Sequence, residues 1–108
     1  MPVLVHNSYD PNNSKAFIKH ETYNEVRNRF GQKGVDAFIK AMNKGLVGPE
    51  GESGIKYFNG KINGILYEFE IKVKNSEFGN FRIFGNYNES LDEIIFDFFT
   101  KGQGKKHR

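Results

Sequence analysis

The chain has 108 residues, with 16 lysines and arginines against 13 aspartates and glutamates, and a net charge of +3. This length is typical of a single domain with one core, and the absence of cysteine excludes disulfide scaffolds, cysteine zinc sites and thiol catalysis. No apolar run approaches the ~20 residues that span a bilayer, so we expect no membrane segment. The last eight residues carry a basic cluster without an acid, which suits a polyanionic partner. The cluster consists of Lys101, Lys105, Lys106 and Arg108.

The N-terminal part of the sequence predicts a connector followed by a helix. Residues 1–13 contain a cluster of turn-forming residues, so we interpret them as a leader or linker, with the domain over residues 14–108. Asn13 or Ser14 can cap a helix over residues 15–30, and Gly31 is placed to end it.

A second helix is predicted over residues 32–44. Its apolar residues recur at i, i+3, i+4 and i+7, which is the spacing of one helix face, and Gly45 follows where a helix would stop. These apolar residues are Val35, Phe38, Ile39 and Met42.

Beyond Gly45 the sequence changes to a pattern typical of strands, with turn signals at Asn59-Gly60 and Asn63-Gly64. Between residues 67 and 74 apolar and charged residues alternate, as in an antiparallel strand with one packed face. Two further strands are predicted over residues 79–87 and 91–100. We therefore predict an α+β fold in which N-terminal helices pack on a four-stranded antiparallel sheet.

The polar face of these strands offers the mixture of charges that phosphate chemistry requires. Metal-independent RNA cleavage needs a base, an acid and fixed cations around the phosphate. Arg82 is the best candidate for an anion clamp because its planar guanidinium can bind two phosphate oxygens, and Lys72 can act as a point charge. The alternative is a solvated strand face with cross-strand ion pairs, in which Arg82 belongs to a surface pair.

Three histidines are candidates for proton transfer. His6 lies in the predicted leader, whereas His20 lies in the first predicted helix and can face the phosphate site only if that helix packs beside the sheet edge. His107 follows the last predicted strand within the basic tail. The alternatives are a partly buried surface histidine for His20 and simple electrostatic attraction for the tail.

No spacing typical of a metal site or a nucleotide-binding loop occurs in the sequence, so we expect no metal and no cofactor. Aromatic residues that can stack on bases are plentiful, notably Tyr57, Phe84 and Tyr87, although most aromatic residues are needed for a core.

The opening Pro2 to Asn7, with the sequence PVLVHN, resembles the junction that precedes C-terminal toxin domains of bacterial polymorphic toxins. Leu66 to Lys105 resembles the RelE/ParE/HigB group in three features. These are a strand ending in Glu70-Ile71-Lys72, an arginine-bearing strand from Phe81 to Gly85, and a last strand running into Phe99-Thr100-Lys101-Gly102. That group belongs to the small ribonuclease toxins that share the barnase, EndoU, colicin and RelE (BECR) fold.

The resemblance implies a metal-independent endoribonuclease that cleaves RNA, with tRNA the first expectation, through attack of the 2′-hydroxyl on phosphorus. It also implies secretion as part of a larger toxin, action in the cytoplasm of a competing bacterium, and neutralisation by a cognate, acidic immunity protein. We expect the free domain to be a monomer. Some members of the group are ParE-like and inhibit gyrase without cutting RNA, which is the alternative function. A harmless nucleic-acid-binding domain is a third possibility.

The resemblance carries over to Arg82 as the sheet arginine and to Lys72 and Lys101 as basic residues around it. His20 and His107 have no counterpart in the group and are proposed from their chemistry alone. The predicted catalytic residues are Arg82, Lys72, His20, His107 and Lys101, and the predicted substrate-binding residues are Lys74, Lys105, Lys106, Tyr87 and Thr100.

Overall fold

One helix packs against a six-stranded mixed sheet in the computed structural model, which describes residues 4–9, 15–44, 53–74, 77 and 79–101. The predicted α+β class is confirmed. The elements are β1 (Leu4–Tyr9), β2 (Lys15–Lys19), α1 (His20–Asn43), β3 (Gly54–Ile62), β4 (Ile65–Val73), β5 (Phe81–Asn88) and β6 (Glu93–Thr100). The strands lie in the order β1-β2-β6-β5-β4-β3.

The four C-terminal strands, β3 to β6, are antiparallel to one another, and each lies next to its sequence neighbour. The strands predicted over residues 67–74, 79–87 and 91–100 are confirmed as β4, β5 and β6 with shifted ends. Asn63-Gly64 makes the tight turn between β3 and β4, with φ of 53° and 83°. Asn59, also at positive φ, instead lies at an irregularity within β3, where the register shifts between Tyr57 and Gly60. Asn-Gly pairs favour both features because they tolerate positive φ.

The prediction of four strands and of a helix beginning at residue 15 is wrong. Lys15–Lys19 forms β2, which pairs in parallel with β6 and buries Ala16 and Ile18 completely. This pairing joins residues about 78 apart in sequence, for example Ala16 with Ile94, so the local pattern did not reveal it. β1 lies within the predicted leader and pairs antiparallel with β2. The proposed boundary between leader and domain remains a prediction.

α1 combines the two predicted helical segments. The segment predicted over residues 32–44 is confirmed as its second half, and the first segment begins at His20 rather than at residue 15. Gly31, predicted as the end of the first helix, has φ 75° and ψ −166°, which places a kink there. That backbone conformation is essentially restricted to glycine. Both halves of α1 contribute buried residues to the same core, Val26 before the kink and Val35 and Phe38 after it.

The main core lies between α1 and the sheet. It is formed by buried residues that alternate along each strand, so the residues between them point to the opposite face of the sheet. From α1 it contains Val26, Val35, Phe38, Ala41 and Met42, and from the sheet chiefly Ile18, Ile55, Ile71, Val73, Phe81, Ile83, Ile94 and Phe96.

A smaller cluster lies on the face opposite α1, which we call the second face. Phe84 is fully buried there, together with Ile62 and Tyr67, and Phe58 and Phe98 pack against them at partial exposure. Tyr67 therefore departs from the alternation that the sequence predicts for β4, in which it would pack with Ile71 against the helix.

Candidate functional site

Two rows of cross-strand neighbours on the second face form the candidate site. The strand register sets Lys72 between Gly54 and Arg82, and Arg82 opposite Thr100. The adjacent row runs through Lys56, Glu70, Phe84 and Phe98. Directly opposed side chains on one face of a sheet are close neighbours, so these residues share one surface. We call five residues of these rows the cation row: Lys56, Glu70, Lys72, Arg82 and Thr100, of which the first four are charged.

The charged groups of the cation row are held close together at low exposure. Nη1 of Arg82 donates a hydrogen bond to Oε1 of Glu70 at 2.7 Å, and their side chains are 20% and 9% exposed. Lys56, opposite Glu70, is 6% exposed. Lys56 and Lys72, the strand neighbours of Glu70 and Arg82, add two further positive groups beside this ion pair. The ion pair that the sequence offers as the alternative role of Arg82 exists, yet the row keeps a surplus of positive charge.

The pKa of Lys72 is lowered by its burial and by this surplus of positive charge. Burial lowers the pKa below the ordinary lysine value of 10.5, and the positive charges of Arg82, Lys56 and Lys74 lower it further, while Glu70 acts in the opposite direction. The protonated form of Lys72 is therefore less strongly favoured than that of an ordinary lysine. An anion bound between Lys72 and Arg82 would relieve the repulsion.

An aromatic surface adjoins the cation row. The Phe84 ring lies 4.8 Å from the Phe58 ring and 6.3 Å from the Phe98 ring, measured between centroids, and Tyr67 stacks on Phe98 at 5.9 Å. Phe84 is directly opposite Glu70 in the sheet, which makes the aromatic and charged surfaces continuous. Partly exposed rings beside cations are the combination that binds unpaired bases of a nucleic acid strand.

An acidic residue lies at the other side of the aromatic surface. Asp97 forms an ion pair with Lys19 at 3.7 Å. Burial raises the pKa of Asp97, while the charge of Lys19 opposes this shift. The pKa of Tyr67 is also raised, first by burial and then by the charge of Asp97. Asp97 therefore holds a proton more readily than an ordinary aspartate, about 10 Å along β6 from Thr100.

The structure brings several predicted site residues together. Arg82, Lys72 and Thr100 are neighbours in one row. Lys74 follows β4 directly and contributes to the charge that acts on Lys72. Lys101 is the residue after Thr100, and its Nζ lies near Gly79, 3.7 Å from the position a Cβ would take there.

Two predicted residues lie away from the cation row. His20 begins α1 and stacks on Tyr23 at 6.5 Å, and Tyr23 packs edge-on against Phe38 in the core between helix and sheet. The contacts of His20 therefore place it on the helix side of the sheet, not beside Arg82. Tyr87 lies five residues beyond Arg82 on β5, about 16 Å along the strand, and its hydroxyl donates a hydrogen bond to Asp92.

His107, Lys105 and Lys106 lie outside the described residues, as do residues 1–3 with the start of the junction-like sequence. Their proposed roles remain predictions.

Sequence reasoning missed Lys56 and gave Glu70 no role. Lys56 follows the buried Ile55 in β3, so alternation alone would have placed it on the second face. Its position opposite Glu70 depends on the β3–β4 register, which the irregularity at Asn59 alters.

Within the described ranges, no group of three or more histidine, cysteine, aspartate or glutamate residues is arranged to hold a metal ion. Over the same part of the chain, no helix combines the length and the apolar character that crossing a membrane requires. Comparison with protein-family models, curated proteins and solved structures finds no match to this chain. The functional argument accordingly rests on the geometry of the cation row.

Proposed function

We propose that this chain is a metal-independent endoribonuclease toxin domain with a BECR-like fold. The observation that carries the proposal is the convergence of Lys56, Lys72 and Arg82 around Glu70 on one half-buried surface. The order of a helix followed by four antiparallel strands, β3 to β6, supports the fold assignment, with β1 and β2 as additions to it.

The proposed reaction is transesterification within RNA. The 2′-oxygen forms a bond to phosphorus while the bond to the 5′-oxygen breaks, leaving a 2′,3′-cyclic phosphate and a free 5′-hydroxyl. Glu70 accepts the proton of the 2′-hydroxyl, and its hydrogen bond to Arg82 orients the carboxylate. Arg82 and Lys56 stabilise the charge that develops on the phosphate oxygens. Lys72, with its lowered pKa, releases a proton to the 5′-oxygen more readily than an ordinary lysine.

This assignment replaces His20 as the proton carrier because its contacts place it on the helix side of the sheet. His107 and Lys101 remain predicted participants; Lys101 follows β6 directly, and His107 lies outside the described residues. Unpaired bases of the substrate stack on Phe58 and Phe98, so the substrate is single-stranded or locally opened RNA, such as a tRNA loop.

The PVLVHN-like opening supports the biological setting that we propose. The domain is carried within a larger secreted toxin, acts in the cytoplasm of a target bacterium, and is a monomer when free. In the producing cell an acidic immunity protein covers the cation row, where charge complementarity would favour fast and specific binding.

Expression in a bacterium that lacks the immunity protein tests the proposed function. We expect growth arrest together with discrete fragments of tRNA or ribosomal RNA on gels of total RNA. The purified protein should produce the same fragments in the presence of a metal chelator. Growth arrest with intact RNA would favour the ParE-like inhibitor of a host protein such as gyrase, and normal growth would favour a harmless nucleic-acid-binding domain.

The lowered pKa of Lys72 predicts a pH dependence of RNA binding. As pH rises from neutrality towards 10.5, Lys72 should lose its proton before an ordinary lysine does, and the affinity for RNA should fall. Arginine stays charged over this range, so Lys72→Arg should retain its affinity. Fluorescence anisotropy with a 2′-O-methyl oligonucleotide, which cannot cyclise, measures binding without cleavage.

The matched control is Lys61→Arg, at an exposed position on β3 away from the row. This variant should follow the wild-type pH profile. Identical profiles for Lys72→Arg and the wild type would show that Lys72 does not contact the phosphate.

A further inference from the structure

A cavity of about 420 Å³ lies between the second half of α1 and the end of β4, and we call it the end cavity. We propose that the end cavity binds a second phosphate of the same RNA strand whose scissile phosphate occupies the cation row. This inference rests on the proposed function. It adds that the bound RNA strand is long enough for two of its phosphates to contact the protein at two separate sites. The cavity is lined by Lys33, Asp36, Ala37, Lys40, Ala41, Lys44, Ser53, Val73, Lys74 and Glu77.

The charges around the end cavity favour an anion. Its two acidic residues are already engaged: Glu77 accepts a hydrogen bond from Nζ of Lys33 at 2.7 Å, and Asp36 accepts one from Gln32 at 3.0 Å. The remaining lysines of the lining form no ion pair with an acid of the described residues. They are Lys40, Lys44 and Lys74.

Lys74 and Ser53, which line the end cavity, lie beside Lys72 of the cation row and its strand partner Gly54. The backbone N–H of Lys74 donates a hydrogen bond to Oγ of Ser53 at 3.0 Å, which holds the two segments side by side. Ser53 precedes Gly54, the strand partner of Lys72, and Lys74 lies two residues after Lys72. The charge of Lys74 also lowers the pKa of Lys72, so the two ammonium groups are close enough to repel each other. Because the end cavity lies on the helix side of the sheet and the cation row on the second face, a strand bound at Lys72 reaches the cavity by passing around the end of β4 at Lys74.

Lys40 and Lys44 also have a purely structural role available to them. They lie in the last turn and at the C-cap of α1, where positive charge complements the helix dipole. The helix dipole does not explain the presence of Lys74, which follows strand β4. It also does not explain why all three lysines line one cavity. Salt dependence of RNA binding separates the two roles, because each phosphate contact releases counterions and contributes to the slope, whereas a dipole contact does not.

The experiment uses fluorescence anisotropy to measure how the affinity for a single-stranded 2′-O-methyl oligonucleotide depends on salt concentration. It compares the wild-type protein with two test variants and one control variant. The test variant is Lys40→Gln/Lys44→Gln, and a second, Lys74→Gln, lies outside the helix. The control variant Arg27→Gln/Lys61→Gln also removes two charges, from exposed positions that do not line the end cavity. Thermal unfolding establishes that each variant is folded.

We expect the slope of log affinity against log salt to become shallower by about 0.7 in each test variant, which is the loss of one phosphate contact to a single strand. The control should keep the wild-type slope. Equal slopes in test and control variants would overturn the second phosphate site while leaving the proposed function intact. Failure of the wild-type protein to bind the oligonucleotide would overturn both.

Discussion

Replacement of Arg82 by alanine is expected to reduce RNA cleavage by about 100- to 1,000-fold, the usual effect of removing one donor that stabilises developing negative charge. Arg82 has the central position in the cation row, between Lys72 and Thr100 and bound to Glu70 at 2.7 Å. The substitution removes both the phosphate clamp and the group that orients the proposed base. Initial rates on a fluorogenic RNA substrate measure the effect, and growth arrest on induction should disappear.

Stability must be separated from catalysis in this test because Glu70 is 9% exposed and would lose its partner. An uncompensated buried charge is destabilising. The double variant Arg82→Ala/Glu70→Gln removes the buried charge as well, so its thermal unfolding shows how much of the lost stability comes from Glu70, while its cleavage is lost with the proposed base. Arg82→Lys keeps the charge but not the planar fork. Arg27→Ala is the matched control on the exposed surface of α1 and should cleave at the wild-type rate. A folded Arg82→Ala protein that still arrests growth would refute the proposed site.

Gly85→Ala is expected to lower the free energy of unfolding by about 1–3 kcal/mol or more, as overpacking a close contact does. At this position β5 and β6 change register, between Phe84 and Gly85. A Cβ on Gly85 would contact the carbonyl oxygen of Ile95 and lie 2.7 Å from Cα of Phe96. These are backbone atoms, so they cannot move aside without disturbing the β5–β6 pairing. The midpoint of urea denaturation measures the loss.

The comparison variant is Gly60→Ala, another glycine within a strand. There the new Cβ would approach the end of the Phe58 ring at 2.9 Å, and a side chain can rotate or shift. We expect a smaller loss than at Gly85. Equal losses at the two positions would mean that the close strand approach at Gly85 does not govern stability.

The residues of β4 show how much of the site the sequence predicts. Alternation along this strand places Glu70 and Lys72 on one face and Ile71 and Val73 on the other, as the structure confirms. The sequence also predicts that Arg82 lies on the next strand, as it does in β5. Alternation does not say which residue stands opposite which, so Glu70 as the partner of Arg82 and the contribution of Lys56 were not predicted.

The error at Lys15–Lys19 has a different cause. Five residues after a turn-forming cluster are too few to show a strand period, and their proximity to a periodic helix favoured the helical interpretation. Pairing with β6 from the far end of the chain decided their conformation, because it buries Ala16 and Ile18 against the helix. Because α1 begins at His20 and not at residue 15, this histidine lies in the first turn of the helix, where it stacks on Tyr23.

The amino-acid sequence by itself determined the α+β class, the helix over residues 32–44, the antiparallel strands and the face on which Lys72 lies. These properties follow from periods of a few residues, and neighbours along the chain enforce them. Only the tertiary structure decided the parallel β2–β6 pairing, the gathering of Lys56, Lys72 and Arg82 around Glu70, and the end cavity beside them. Each of these depends on contacts between residues distant in the chain, whose register is set by bulges and by burial of the whole sheet.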